Sequence, residues 1–185
     1  MGIEWIVLSV IAAALLFWLV FGYNQLVQKR QAVNSAWSQI DVQLKRRYDL
    51  IPNLVETVKD YLNHERQTLE NVTKARAQAI NAAGLQDKAQ AENFLTQTLR
   101  SLFAVVERYP DLKANQNVLA LQEELSSTEN KIAFARQYYN DEALRLNTLV
   151  QSVPTNLIAS GAGFKTAEFF AVEEATDRQA PKVKL

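Results

Sequence analysis

From Trp5 to Phe21 the only polar side chain is Ser9. The 21 residues Ile3–Tyr23, wound as a helix rising about 1.5 Å per residue, span roughly 31 Å, the hydrocarbon thickness of a bilayer. A single spanning helix is therefore expected, with the lipid bilayer as the partner of residues 3–23. A cleaved signal peptide fits poorly, because the flank carries Glu4 and no Lys or Arg, and Ala12, Ala13 and Ala14 sit mid-segment with apolar residues after them. A lipid-modified leader needs a cysteine, and the chain has none. Trp5 at one end and Trp18, Phe21 and Tyr23 at the other suit the two membrane interfaces. No second apolar run of comparable length follows, so one pass is expected.

Composition narrows what the rest of the chain does. Twenty basic residues balance twenty acidic ones, which removes the electrostatic case for binding nucleic acid. Without cysteine there is no disulfide framework and no thiolate metal site. The single histidine, His64, precedes Glu65, but a zinc-peptidase motif needs a second His at position 68, which is Thr. A carboxylate di-iron site would need Glu at position 61, which is Tyr. Gly161-Ala162-Gly163-Phe164-Lys165-Thr166 lacks the spacing and the preceding strand of a phosphate loop. The expectation is a non-enzymatic structural or interaction protein with no catalytic residue, no metal and no cofactor.

Hydrophobic periodicity after the apolar segment is helical throughout, and no stretch alternates as a strand does. Leu26, Val33, Trp37, Ile40, Leu44 and Tyr48 line one helix face, and no Pro interrupts Tyr23–Ile51. Spanning helix and first bundle helix are expected to form one rod broken near Asp49, with Gly22 as the only hinge. Asp49 with Pro52 marks the start of a second helix, which ends at Gly84 in a left-handed cap. Asp87 caps a third running to about Val106, and a fourth runs from near Asn115 to just before Pro154. Short connections make this an all-α, antiparallel up-down four-helix bundle. The expected domains are a transmembrane anchor at 1–22, the bundle at 23–154 and a C-terminal tail at 155–185. This topology puts Gly84 and Pro154 beside the membrane, and Pro52 and Pro110 at the far end.

Three polar groupings are candidates for function. Lys45, Arg46 and Arg47 offer an anion or partner contact, against the simpler reading of cations at a helix C-terminus. Thr128, Glu129 and Arg136 on the fourth helix face Glu65, Glu70 and Arg76 on the second. Buried hydrogen-bonded pairs that fix helix register are preferred there over a proton or ion site. Trp37, in the stripe of the first helix, is expected to be the central core aromatic.

The run Tyr23-Asn24-x-Leu26-Val27, followed by the unbroken stretch from Ala36-Trp37-Ser38 through Leu50-Ile51-Pro52-Asn53-Leu54-Val55, resembles the signature of the LemA family. So do Tyr109-Pro110-Asp111-Leu112-Lys113-Ala114-Asn115, Thr128-Glu129-Asn130-Lys131-Ile132-Ala133, Ala135-Arg136, Tyr139-Asn140, Gly163-Phe164 and Phe169-Phe170. Val118, Val153 and Leu185 depart from aromatic positions of the pattern. The resemblance implies a bacterial protein anchored by an N-terminal helix and carrying an antiparallel four-helix bundle, with no established catalytic residues or cofactor. It leaves two functions open. One is a membrane-anchored scaffold or adaptor that self-assembles or holds a partner such as an envelope-stress protease. The other is a sensor that binds a ligand in the bundle and transmits the change along its first helix.

The tail carries Leu157, Ile158, Phe164, Phe169, Phe170, Val172 and Val183, more apolar surface than a disordered segment usually has. Its own bundle, the bilayer interface and a neighbouring subunit are the three places to bury it. The neighbour is preferred, so Phe164, Phe169 and Phe170 are candidate contacts of a homo-oligomer. Residues 23–48 hold five basic residues and one acidic residue, and the N-terminal flank holds no basic one. The positive-inside rule then puts the bundle in the cytoplasm of a bacterium, attached to its inner membrane.

Overall fold

The structure is a computed structural model that describes residues 2–170. The expectations for Val172, Val183 and Leu185 lie outside the described residues. Among the described residues every regular element is helical: α1 Ile3–Lys59, a 3-10 turn Asn63–Glu65, α2 Arg66–Asn81, α3 Leu85–Val106, α4 Pro110–Lys113, α5 Gln116–Gln151 and α6 Thr155–Gly161. The all-α class and the helical-bundle architecture hold. Two compact units divide the described chain, residues 2–40 with 134–169, and residues 41–133 with Phe170.

In the first unit, the beginning of α1 is long and apolar enough to cross a membrane. Its side chains, among them Trp5, Leu8, Ile11, Leu16, Phe17 and Phe21, are exposed. From Leu26 onward the helix buries one stripe, Leu26, Val33, Ala36 and Ile40, and α5 contributes Ala143 and Leu146. Gly22 does not bend the helix. A Cβ built there would lie 2.5 Å from Ile158 Cδ1 of α6, so this glycine admits a close approach of α6. Beyond α6, residues 164–170 run without regular structure and are tied to the bundle. The Asn147 side chain donates to the Ala167 carbonyl at 2.9 Å and accepts from the Ala167 amide at 2.7 Å. The Tyr139 hydroxyl donates to the Glu168 carbonyl at 3.0 Å.

The second unit contains the rest of α1, with α2, α3, α4 and the first half of α5. Leu44, Ile51, Leu54 and Val58 of α1 are buried, as are Leu69, Val72, Ala75 and Ala79 of α2 and Leu95, Leu99 and Leu102 of α3. The expected break near Asp49 is absent, and α1 continues through Pro52 to Lys59. Proline in a helix leaves the carbonyl four residues back without its amide donor. Here that carbonyl belongs to Tyr48, and Arg76 Nε of α2 donates to it at 2.7 Å. The neighbouring helix supplies the missing hydrogen bond.

Two boundaries also differ from expectation. Gly84 has the expected positive φ, 86°, but it stands immediately before α3, and α2 has already ended at Asn81. Asp87 consequently lies inside the first turn of α3. With only 16 residues, α2 returns along α1 as far as Tyr48, whose hydroxyl reaches the Ala79 carbonyl at 3.3 Å. Gly84 thus follows the end of α2 that lies beside Tyr48 of α1. The start of α5 agrees with the sequence: Asn115 Oδ1 accepts from the amides of Asn117 and Val118, capping the helix.

Candidate functional site

Arg47 lies at the centre of the second unit, on the α1 face that also carries Leu44, Ile51 and Leu54. Its side chain and that of Glu92 on α3 are both 0% exposed. One guanidinium nitrogen bonds Glu92 Oε2, and the other bonds Glu129 Oε2 of α5 and, at 3.1 Å, Thr96 Oγ1. Glu92 Oε1 accepts from the Tyr48 hydroxyl. The Thr96 hydroxyl stands 3.0 Å from Glu129 Oε1 and 3.1 Å from the Glu92 carbonyl, either of which accepts its one proton. A single cation thereby joins three helices through two carboxylates. Burial lowers the Arg47 pKa from its ordinary value, while the Glu129 carboxylate and its hydrogen bond oppose the shift.

Glu129 is the outward end of this network, with its side chain 35% exposed. It lines a half-open cleft of about 300 Å³ between α3 and α5. Leu99, Phe103 and Leu125 give the cleft apolar walls, and Thr96, Arg100, Gln122, Ser126 and Asn130 give it polar ones. Arg47, Tyr48 and Glu92 are sealed from solvent, so only Glu129 and Thr96 present the network to a molecule in the cleft. Near the α2–α3 turn, Lys88 Nζ donates to the Ala79 carbonyl at 2.9 Å, filling an acceptor that the last turn of α2 leaves open. Burial lowers the Lys88 pKa, and Asp41 opposes it.

The structure separates residues that the sequence grouped. Lys45 is exposed, Arg46 makes a two-point contact with Glu124 at 2.7 and 3.2 Å, and Arg47 is buried. The reading of all three as helix-end cations fails, because α1 runs 12 residues beyond Arg47. Thr128 is buried as expected, but its hydroxyl has no hydrogen-bond partner among the described residues, so it packs and does not set register. Glu65 is half-buried in the 3-10 turn. Arg136 is buried in the first unit. Trp37 is half-buried and meets Tyr139 edge-on at 5.7 Å, and the fully covered positions of its stripe are Ala36 and Ile40.

The tail aromatics are corrected as well. Phe164 is buried by this chain, edge-on to Tyr23 at 5.7 Å and beneath the Arg30 guanidinium at 4.9 Å. Phe170 is buried, while Phe169 is half-exposed. Ile158, Phe164 and Phe170 are therefore covered by this chain, and Phe164 and Phe170 present no face to a neighbour, while Leu157 and Phe169 stay exposed. Sequence reasoning missed Glu92 altogether. Its signal was available, because Ala89, Glu92, Leu95 and Leu99 form one stripe on α3, and an acid in an apolar stripe implies a buried cation opposite.

Over 152 residues the chain is 25% identical to Protein LemA of Metamycoplasma hominis, covering 82% of this chain and 69% of that one. It is 25% identical over 197 residues to Magnetosome protein MamQ 2 of Paramagnetospirillum magneticum, covering 92% and 72%. It is 24% identical over 185 residues to Magnetosome protein MamQ of Magnetospirillum gryphiswaldense, covering 86% and 68%. The LemA family model matches residues 36–185, which contain the later part of α1, all of α2 to α6 and the whole buried network, and the chain belongs to the LemA family.

Proposed function

We propose that this protein is a membrane-anchored helical scaffold or adaptor, without enzymatic activity, that self-assembles and engages a partner protein of the membrane, such as an envelope-stress protease. The observation that carries the reading is α1 itself. One helix joins an apolar segment whose side chains are almost all exposed among the described residues to the buried core of the bundle. An apolar surface of that length is unfavourable in water, and a bilayer covers it. Relatives named as magnetosome proteins support membrane association. Phe134 and Tyr138, one turn apart on α5 and both exposed, are the aromatic surface such a scaffold would use. Exposed Phe169 and Lys45 are further contacts.

The test is light scattering of the full-length protein in detergent, with bound detergent subtracted. A defined oligomer that loses mass when Phe134 and Tyr138 are both changed to Ser supports the scaffold. A monomer in the parent removes the oligomer. Deleting residues 1–22 should move the protein from the membrane fraction to the soluble fraction.

The cleft at Glu129 favours a second reading, a sensor. A ligand that hydrogen-bonds this carboxylate would compete directly with Arg47 of α1. A small molecule that raises the melting temperature of the parent but not of Glu129→Gln would favour it over the scaffold.

A further inference from the structure

Near the end of its apolar segment, α1 meets α6. Ile158 packs over Gly22, and Phe164 packs against Tyr23. On a neighbouring side α6 exposes Leu157, 67% accessible, and the turn before it exposes Val153, 81% accessible. Among the described residues nothing covers either. Charge is also missing at this end. Between Arg145 and Lys165 there is no Asp, Glu, Lys or Arg, and α1 carries none between Glu4 and Lys29. A water-facing surface of this chain, in which 22% of residues are charged, would carry several over such a length. Cations border this collar: after Lys29 come Arg30, lying over the Phe164 ring, and Lys165 next to that ring, the latter two exposed.

We infer that α6 and the turn preceding it form a foot immersed in the bilayer interface, with Leu157 and Val153 among the upper acyl chains and Arg30 and Lys165 at the lipid phosphates. The inference rests on the reading that the apolar segment of α1 spans the membrane. Continuity makes lipid the occupant. Gly22 stands at the boundary of the spanning run, and the Ile158 contact holds α6 at that depth, so a bilayer around Phe21 reaches Leu157 without any further partner. Exposed aliphatic side chains at this level gain by leaving water, and cations just outside them gain from anionic headgroups. The foot would fix the bundle at one height above the membrane, since α1 alone leaves it free to tilt.

Absence of native cysteine makes single reporters clean. Leu157→Cys, Val10→Cys and Ser127→Cys, each in the full chain and carrying a nitrobenzoxadiazole label, are reconstituted into vesicles of phosphatidylethanolamine and phosphatidylglycerol. Lipids bearing a nitroxide high on the acyl chain act as quencher. The expected result is quenching at Leu157 several-fold above that at Ser127, together with quenching at Val10. Quenching at Val10 with Leu157 no better than Ser127 overturns the foot and leaves the anchor standing. A Leu157 label that shifts to the blue without being quenched by lipid also overturns it, in favour of cover by a second copy. If Val10 is not quenched, the anchor reading falls, and the foot falls with it.

Discussion

Arg47 and Glu92 show how one buried ion pair ties a bundle together. Each is sealed from water, and the two are paired with each other and with Glu129, Tyr48 and Thr96, while Arg47 Nε is buried without a hydrogen-bond partner among the described residues. Removing one member strands the other in a low-dielectric interior, which typically costs about 3 to 5 kcal/mol. Arg47→Met is therefore expected to destabilise the full-length protein in detergent by that order in denaturant unfolding. Adding Glu92→Leu should recover much of the loss, because the stranded carboxylate is then gone. Equal unfolding midpoints for the single and double variants would show that the pair is not coupled. Thr128 makes the opposite case. Its buried hydroxyl has no partner among the described residues, and Val has the same branched shape. Burying an unpaired hydroxyl costs on the order of 1 to 3 kcal/mol, so Thr128→Val should raise the unfolding midpoint. A lowered midpoint would mean that the hydroxyl has found an acceptor.

At the scale of elements, the continuity of α1 through Pro52 depends on α2. Because Arg76 takes the acceptor that Pro52 vacates, the two residues are expected to couple. Arg76→Met should cost roughly 1 to 2 kcal/mol in the parent. In a Pro52→Ala background it should cost less than half as much, since the new amide competes for the Tyr48 carbonyl. Equal costs in both backgrounds would show no coupling. The segment after α6 is held through Tyr139, whose phenol pKa is raised by burial first and by nearby Glu168 second. A pKa raised by folding means that the native state holds its proton more tightly than the unfolded chain. That stability is present below the ordinary phenol range and is lost as pH rises through the folded value. The melting temperature of Tyr139→Phe should accordingly fall less than the parent's as pH is raised above about 10. Parallel profiles would sink the assignment. Helix content was legible in the sequence because the stripes Leu26–Val33–Ile40–Leu44 and Leu95–Leu99–Leu102 repeat at helical spacing. The α1–α2 boundary was not, because a proline reads as a break until the donor that replaces its amide is seen on another helix. Nor was the role of Arg47, which in sequence is one of three adjacent cations, while only the turn of the helix decides which of them faces inward.

For the whole molecule, orientation in the membrane is the property on which any partner depends, and the fold sharpens the sequence argument for it. Lys29 and Arg30 follow the apolar segment directly, and the α6 contact with Gly22 adds Lys165, near Phe164, to the same side of the span. Glu142 lowers the net count, pairing with Lys29 at 3.6 Å and with Arg145 at 2.6 Å. The rule that sets topology weighs cations and is little affected by acids. The opposite flank offers only Glu4. We therefore expect the bundle in the cytoplasm and the N-terminus outside. Gly84 makes a poor reporter, because its φ of 86° would strain any side chain placed there. Ser127 and Gly2 are exposed and carry no such constraint. Intact cells treated with a membrane-impermeant maleimide should label Gly2→Cys, and should label Ser127→Cys only after permeabilisation. The reverse pattern would place the bundle outside the cytoplasm. It would also limit its partners to proteins of the outer face, against the cations Lys29, Arg30 and Lys165 that favour the inner one.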